Sequence, residues 1–326
     1  MYKLLFTFTL LVSITIAISS YSWMGMWMGL EMNLLSIMPL INNKSNFLNS
    51  ETSIKYFIVQ ALASTTLMFS ILLFSMNWDF NLSTFLFNSS LLMKMGAAPF
   101  HFWFPEILEG LNWINTGIMM TIQKIAPMIL IVMNSYLFIS MIIMFSMFIS
   151  STLGLNQISL RKIMAYSSIN HIGWMLAALL FMKTVWLMYF SIYLIISWNL
   201  VLFFKKFNIN YINHLISYSN NSYLKILFMM NLLSLGGLPP FLGFFPKWMI
   251  MQLLIKNNFY LLSFMMIMMT LIPLYFYMRL TFSSLTMINN NLNYKTIYLK
   301  NLYPTMIFNM IALNSLIICT MLMNLD

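Results

Sequence analysis

The sequence has few charged residues and almost none of the chemistry that soluble enzymes use. Only 7% of its 326 residues are charged, six of them acidic, and 61% are hydrophobic. The single cysteine, Cys319, excludes an internal disulfide and a four-cysteine iron–sulfur site. Three histidines permit at most one bis-histidine haem, and the sequence has no phosphate loop, metal cluster or nucleophile triad. Because no polar stretch could form a soluble domain, we predict an all-α polytopic membrane protein.

Glycine and proline are also scarce, at 10 and 9 residues, so their arrangement is informative. The pattern Gly-x-x-Pro-Phe-x-x-x-Phe-Pro occurs at 96–105 and again at 237–246. Lys94 precedes the first copy and Lys247 follows the second. Proline breaks a helix, and paired broken helices in two halves of a membrane protein indicate a transport site. The alternative is two kinked packing helices whose lysines extend to the membrane surface.

Three further ionisable residues lie near the middle of apolar runs. Glu31 would cost roughly 3 kcal/mol if it faced lipid, so we expect it to face the bundle interior. A protonated Glu31 in an interhelical hydrogen bond is the alternative. Lys124 lies too deep to reach an interface easily, and Pro127 is expected to loosen the helix one turn after it. His171 is either a proton relay or a hydrogen-bonded packing residue.

The apolar runs predict eleven membrane-spanning helices. Broken spans are expected at about 82–108 and 223–255, an intact third span at about 56–75 after a polar loop with Glu51 and Lys55, and a last span at about 303–324. Because the broken spans are the fourth and the ninth, residues 1–134 and 135–290 are predicted to form two inverted five-helix repeats. Residues 291–326 then add a C-terminal helix.

The basic residues are distributed unevenly between the predicted loops on the two sides. Of the 16, eleven fall on the side of the N-terminus and two on the other, and three lie within the membrane. The positive-inside rule then places the N-terminus in the matrix and the C-terminus in the intermembrane space. The 35 methionines, with abundant Asn, Ile, Phe and Leu, indicate an AT-rich gene whose code translates AUA as methionine, hence a mitochondrial gene.

The buried ionisable residues together predict proton transfer along the membrane midplane. Burial disfavours the charged form of a lysine, whereas a neighbouring carboxylate favours it, so a lysine that changes partners takes up and releases a proton. We predict that Glu31 and Lys94 point toward each other in the first repeat. Lys124 is predicted to link the halves, approaching both the first break and His171.

Five segments carry a resemblance to a known family: 30–36, 96–105, 123–127, 160–174 and 235–248. They resemble the chain 2 family of antiporter-like membrane subunits of mitochondrial NADH:ubiquinone oxidoreductase, respiratory complex I. By motif position, Glu31 resembles the family's glutamate, Lys94 its paired lysine, Lys124 its connecting lysine and Lys247 the lysine near the exit side.

The resemblance implies a proton-pumping subunit of the mitochondrial inner membrane, driven by quinone reduction elsewhere in the complex. It implies no cofactor on this chain, with NADH, FMN, iron–sulfur clusters and ubiquinone on other subunits. The expected partners are membrane-arm subunits, including antiporter-like neighbours, and lipids, but no nucleic acid. Bacterial members carry fourteen spans and the animal form lacks the first three, so a partner is expected to cover the exposed flank. A free-standing cation/proton antiporter subunit and a structural spacer of the membrane arm are the alternatives.

Overall fold

The computed structural model describes residues 2–42, 47–77, 79–131, 136–217 and 222–286. Within these ranges the regular structure is helical, apart from one β-bridge between Ser159 and Tyr211. The prediction of an all-helical chain is therefore confirmed for the part described. Among the described residues, five helices are long and apolar enough to cross a membrane: Trp23–Ile41, Asn49–Ser75, Tyr136–Gly154, Lys183–Phe207 and Tyr260–Phe282. The last span predicted, at about 303–324, lies outside the described residues.

The first of two compact units comprises Met1–Ser146. In it α2 packs on α1 and α3, and α4 packs on α3 and α7, so the helices that carry Glu31, Lys94 and Lys124 are neighbours. Its helices are α1 (Tyr2–Ser19), α2 (Trp23–Ile41), α3 (Phe47–Ser75), α4 (Phe80–Met95), α5 (Trp103–Gly110), α6 (Trp113–Met120), α7 (Ile122–Leu130) and the first part of α8 (Tyr136–Gly154).

A glycine sets the close approach of α1 to α2. A Cβ atom added to Gly29 would lie 2.7–2.8 Å from backbone atoms of Ala17, closer than nonbonded carbon atoms come. The start of α2 is fixed by Ser22, whose side chain accepts a hydrogen bond from the Gly25 N–H at 3.2 Å. Small residues allow membrane helices to pack at such short separations. Because Glu31 follows Gly29 by two residues, this contact also helps to hold Glu31 in place.

The third helix begins earlier than the sequence suggested, at Phe47 rather than near residue 56. Glu51 and Lys55, predicted to lie in a polar loop, are one turn apart on this helix, and their charged atoms are 3.1 Å apart. Lys55 also lies 3.1 Å from Glu106 on α5. An i,i+4 ion pair favours the helical conformation, which explains the extension. The loop prediction was wrong here.

The second unit begins at Met147 and has α9 as its central helix. Nearly every residue of α9 is buried, the exceptions being Arg161 and Lys162. Both α10 and α13 pack on α9, and α12 packs on α10 and α14. Its helices are the remainder of α8, α9 (Leu160–Leu179), α10 (Lys183–Phe207), the unpredicted α11 (Ile212–Ser217), α12 (Ser222–Gly236), α13 (Phe244–Lys256) and α14 (Tyr260–Thr286).

Candidate functional site

Both proline-containing repeats break a helix in the same way. α4 ends directly before Gly96 and α12 directly before Gly237, whose φ values of +73° and +81° lie in the left-handed region that glycine adopts without a steric penalty. In each break two backbone N–H groups return to carbonyls of the last helical turn at 3.0–3.4 Å. This is a Schellman motif, which satisfies the orphan carbonyls of the helix end. The helices resume at Trp103 and Phe244, so the two predicted breaks are confirmed.

The predicted pair of Glu31 and Lys94 forms in the first unit. Lys94 Nζ lies 3.9 Å from Glu31 Oε1, and the side chains are 4% and 24% exposed. That carboxylate oxygen is buried and has no hydrogen-bond partner in the described structure. Lys94 belongs to the last turn of α4, where a positive charge is favoured by the helix dipole. Glu31 therefore faces the bundle interior, as predicted, at a separation that allows attraction without a direct hydrogen bond.

Lys124 faces the first break. It is 1% exposed on α7, and its Nζ lies 5.0 Å from the centroid of the Phe104 ring. Phe104 is in the first turn of α5, directly after the break. A cation over an aromatic face is stabilised more strongly when it is desolvated, as it is here. The predicted approach of Lys124 to the first break is confirmed.

The fifth predicted span is interrupted before Lys124, whereas we expected the helix to loosen after Lys124, at Pro127. α6 ends at Met120 and α7 begins at Ile122, with Thr121 at φ −119° and ψ −73° between them. The Thr121 hydroxyl donates to the carbonyl of Gly117 at 2.7 Å, a back-bond that bends helices. α7 itself continues through Pro127. The interruption therefore comes three residues before Lys124.

Two amide side chains that the sequence analysis did not assign connect the helices of this site. Asn33 donates to Gln123 at 3.0 Å, and Gln123 donates back to Asn33 at 2.9 Å. Asn33 is two residues after Glu31, and Gln123 immediately precedes Lys124. The pair therefore connects α2 to α7 directly beside both ionisable residues. Asn33 and Gln123 could have been found from the sequence, because each is an uncharged amide in the middle of an apolar span and a buried amide needs a hydrogen-bond partner.

A small cavity lies beside Lys94, between the same helices. Its lining includes Lys94 itself together with Tyr56, Gln60, Gln123 and Pro127. Its volume of about 10 Å³ suits about one water molecule, and its polar walls supply hydrogen-bond partners. The space expected beside Pro127 is thus present, although the helix does not break there.

We expect the Asn33–Gln123 pair to show measurable coupling. Asn33→Leu or Gln123→Leu alone leaves one amide without its partner, whereas the double variant removes both. Interhelical hydrogen bonds in membranes contribute about 0.6 kcal/mol on average and up to about 1.7 kcal/mol, so the double variant should lose less stability than the sum of the singles. Thermal unfolding of the purified protein gives the coupling energy. A cycle between Asn115 and Gln123 is the control, because Asn115 donates instead to the Leu40 carbonyl. Additive losses in the Asn33 cycle would contradict the pairing.

Lys247 uses the second break differently. Its Nζ donates to the carbonyls of Gly236 at 2.8 Å and Leu235 at 3.1 Å, the last residues of α12. It also lies 5.9 Å from the Trp174 ring centroid. Lys94 precedes its break and faces a carboxylate, whereas Lys247 follows its break and reaches back to a helix C-terminus. The carbonyls freed by the break thus hold the lysine.

Gly237→Ala should therefore move Lys247. An added Cβ would lie 2.8 Å from Lys247 Nζ and 2.9 Å from its Cδ, and an L-residue in the left-handed region costs roughly 1–2 kcal/mol. We expect the variant to assemble less well and, where assembled, to lose transport activity several-fold. Gly236→Ala is the control, because its Cβ would meet Tyr277 at an ordinary 3.5 Å. Equal activity of the two variants would show that the position of Lys247 is unimportant.

His171 is buried on α9 and hydrogen-bonded to Tyr189 of α10, with 2.7 Å between Nδ1 and the hydroxyl oxygen. Its ring also lies 4.9 Å from that of Tyr193. This geometry agrees with a hydrogen-bonded packing residue, the second of the two alternatives for His171. The same hydrogen bond is also compatible with proton transfer. Tyr189 could not be singled out from the sequence, because it belongs to no motif and the chain has 16 tyrosines.

Buried lysines beside broken helices are typical of membrane subunits of the ion-transport class. The model of the family "NADH:quinone oxidoreductase/Mrp antiporter, TM" matches residues 20–273. The chain therefore belongs to this family.

Individual relatives are more specific. The chain is 46% identical over 335 residues to "NADH-ubiquinone oxidoreductase chain 2" of Anopheles gambiae, covering 98% of this chain and 97% of the relative. Proteins of the same name match in Aedes aegypti, at 48% identity over 97% of this chain and 96% of the relative, and in Ovis aries, at 41% over 91% and 89%. The similarity extends over nearly the whole of each chain.

Solved structures share the fold. A chain of respiratory complex I from Thermus thermophilus aligns with a TM-score of 0.85 at 20% identity, covering 96% of this chain and 77% of that one. A chain of the Mrp complex from Dietzia sp. aligns with a TM-score of 0.78 at 14% identity, covering 97% and 75%.

Proposed function

We propose that this chain is a proton-translocating membrane-arm subunit of NADH:ubiquinone oxidoreductase in the mitochondrial inner membrane. The observation that carries the proposal is the burial of Lys94, Lys124 and Lys247, each 1–9% exposed, on helices at two breaks. Insertion of a lysine near the membrane centre costs about 2.5–3.5 kcal/mol, so three of them require a function or strong partners. The relatives at 41–48% identity are named as a chain of NADH-ubiquinone oxidoreductase, which supports this complex as the place where that function operates.

Protons pass, in this proposal, through Glu31, Lys94, Lys124, His171 and Lys247. Glu31 faces Lys94 at 3.9 Å, and the cavity beside Lys94, which has the volume of about one water molecule, gives its proton a way out when the pair separates. Lys124, at the first break, is the next carrier. The step from Lys124 to His171 and Lys247 passes from the first unit to the second and is part of the proposal. NADH, FMN, iron–sulfur clusters and ubiquinone belong to other subunits.

The proposed topology has eleven spans, two inverted repeats at 1–134 and 135–290, and a C-terminal helix at 291–326. The N-terminus lies in the matrix and the C-terminus in the intermembrane space. The matching glycine caps of the two breaks support the repeats, and the distribution of basic residues supports the orientation. The partners are other membrane-arm subunits, including antiporter-like neighbours, together with lipids.

Copurification tests this proposal. The chain is isolated with its native complex from mitochondrial inner membranes, and the accompanying subunits are identified by mass spectrometry, against a mock purification. We expect membrane-arm and redox subunits of NADH:ubiquinone oxidoreductase, and NADH-driven proton uptake by vesicles that contain the complex.

Two further results would distinguish the alternatives. An isolated chain that exchanges cations for protons without NADH would identify a free-standing antiporter, for which the shared Mrp fold is the supporting observation. Normal pumping after replacement of all three buried lysines would leave only the role of a spacer.

A further inference from the structure

The second half of the chain lacks the group that proton pathways most often use as a partner for a basic residue. Between residues 110 and 325 the sequence contains no aspartate and no glutamate. Glu31 pairs with Lys94 in the first unit. Residues 147–325 contain no carboxylate side chain that could pair with His171 or Lys247 in the same way. A proton moving there needs another side chain that both donates and accepts. Tyrosine and serine hydroxyls do both.

Tyr189 occupies the position that such a relay requires. It is 2% exposed, and its hydroxyl forms the 2.7 Å hydrogen bond to Nδ1 of His171, which is 6% exposed. The two residues are on the packed helices α9 and α10, so the hydrogen bond crosses a helix–helix interface. A bond of this length between a phenol and an imidazole is well within the range for direct proton transfer.

A cavity joins this pair to the second break. Tyr189 and His171 line it on one side, and Ser234, Leu235 and Pro246 line it at the break. Its volume of about 10 Å³ is the size of about one water molecule, but its accessible walls are mostly apolar, so a water there is part of the proposal below. The Leu235 carbonyl accepts a hydrogen bond from Lys247 Nζ at 3.1 Å. Water in this cavity would thus stand between the Lys247 site and the Tyr189 hydroxyl.

We infer that the Tyr189 hydroxyl relays protons between cavity water and His171. The inference rests on the proposed function and names a relay residue for its second half. A protonated cavity water gives its proton to the Tyr189 oxygen while the Tyr189 O–H proton moves to Nδ1 of His171. The water and the phenol are neutral afterwards, and the imidazole has gained one proton. The reverse sequence discharges His171 toward Lys247.

Two substitutions at residue 189 separate relay from packing. Tyr189→Phe keeps the ring but removes the hydroxyl, whereas Tyr189→His loses ring volume but keeps a group that donates and accepts protons. If the hydroxyl relays protons, the Phe variant loses proton pumping, by about tenfold or more given the usual 10²–10⁴-fold contribution of a positioned proton-transfer group. The His variant then recovers part of it. The measurement is NADH-driven proton uptake by vesicles carrying the assembled complex, in H₂O and in D₂O.

Tyr277→Phe is the matched control, because Tyr277 is equally buried in the same unit but does not line the cavity. We expect a larger solvent isotope effect for Tyr189→Phe and an unchanged one for Tyr277→Phe. Full pumping by Tyr189→Phe, or pumping by the Phe variant that exceeds that of the His variant, would overturn the relay. Loss of assembly in the Phe variant together with pumping in the His variant would support it, since the His variant is the worse packed. If Lys124→Ala abolishes pumping while Tyr189→Phe retains it, the relay fails and the proposed function stands.

Discussion

Lys124→Ala is expected to cut NADH-driven proton pumping at least about tenfold while the complex still assembles, because proton-transfer groups contribute about 10²–10⁴-fold to the steps they serve. The side chain is 1% exposed and faces the first break through Phe104. Alanine removes the carrier but leaves the neighbouring Asn33–Gln123 pair to hold α7 against α2. Coupled NADH oxidation should fall in parallel, since blocked pumping restrains the redox reaction that drives it.

Arginine at the same position should rescue poorly. Its guanidinium keeps the positive charge but does not release a proton at any physiological pH. Lys183→Ala is the control, because Lys183 is exposed at the start of α10. Proton uptake is measured in vesicles, and the amount of complex is determined on native gels. Full pumping by Lys124→Ala would make Lys124 a packing residue and favour the spacer alternative.

The second large effect is expected at the Glu31–Lys94 pair. Glu31→Gln keeps the shape of the side chain but removes the charge that faces Lys94 at 3.9 Å. Removing one partner of a buried ion pair costs about 3–5 kcal/mol. The cost here should be lower, because Glu31 is 24% exposed and the separation is long. Because the proton carrier loses the carboxylate that faces it, we expect pumping to fall several-fold with a smaller loss of stability.

Lys94→Met should have the larger effect on transport, because it deletes the proton carrier itself. It also leaves Glu31 without the cation that faces it. Glu51→Gln is the control for both variants, since it breaks an ion pair whose members are 46% and 49% exposed, worth about 0–1 kcal/mol. Proton uptake and thermal stability are measured together. Pumping by Glu31→Gln at the level of Glu51→Gln would contradict the functional pairing.

The two helix breaks were predictable because glycine and proline act on their own neighbourhood. Pro99 and Pro240 cannot donate the next backbone hydrogen bond of a helix, and Gly96 and Gly237 allow the chain to turn away at positive φ. A matched spacing of both residue types therefore predicted both interruptions. The cost of burying a charge likewise identified Glu31 and the lysines without any knowledge of their partners.

Other features were missed for reasons that are equally physical. The interruption at Thr121 depends on a side-chain bond to the Gly117 carbonyl, and threonine forms that bond in some helices only. The early start of α3 is favoured by Glu51, whose ion pair with Lys55 stabilises a polar part of the helix that composition alone assigns to a loop. His171 lies on a helix that is buried all round, so no apolar stripe indicated which neighbour it faces.

The sequence by itself determined that this is a helical membrane chain, that its helices break at the two glycine–proline repeats, and that Glu31, Lys94, Lys124 and Lys247 are directed away from lipid. Those properties follow from local backbone chemistry and from the energy of placing a charge in lipid. Only the tertiary structure decided the partners: Gln123 for Asn33 across 90 residues, the α12 carbonyls for Lys247 and Tyr189 for His171. Such partners depend on which helices are adjacent and how each is rotated about its axis. In a chain this apolar, no hydrophobic pattern specifies that rotation.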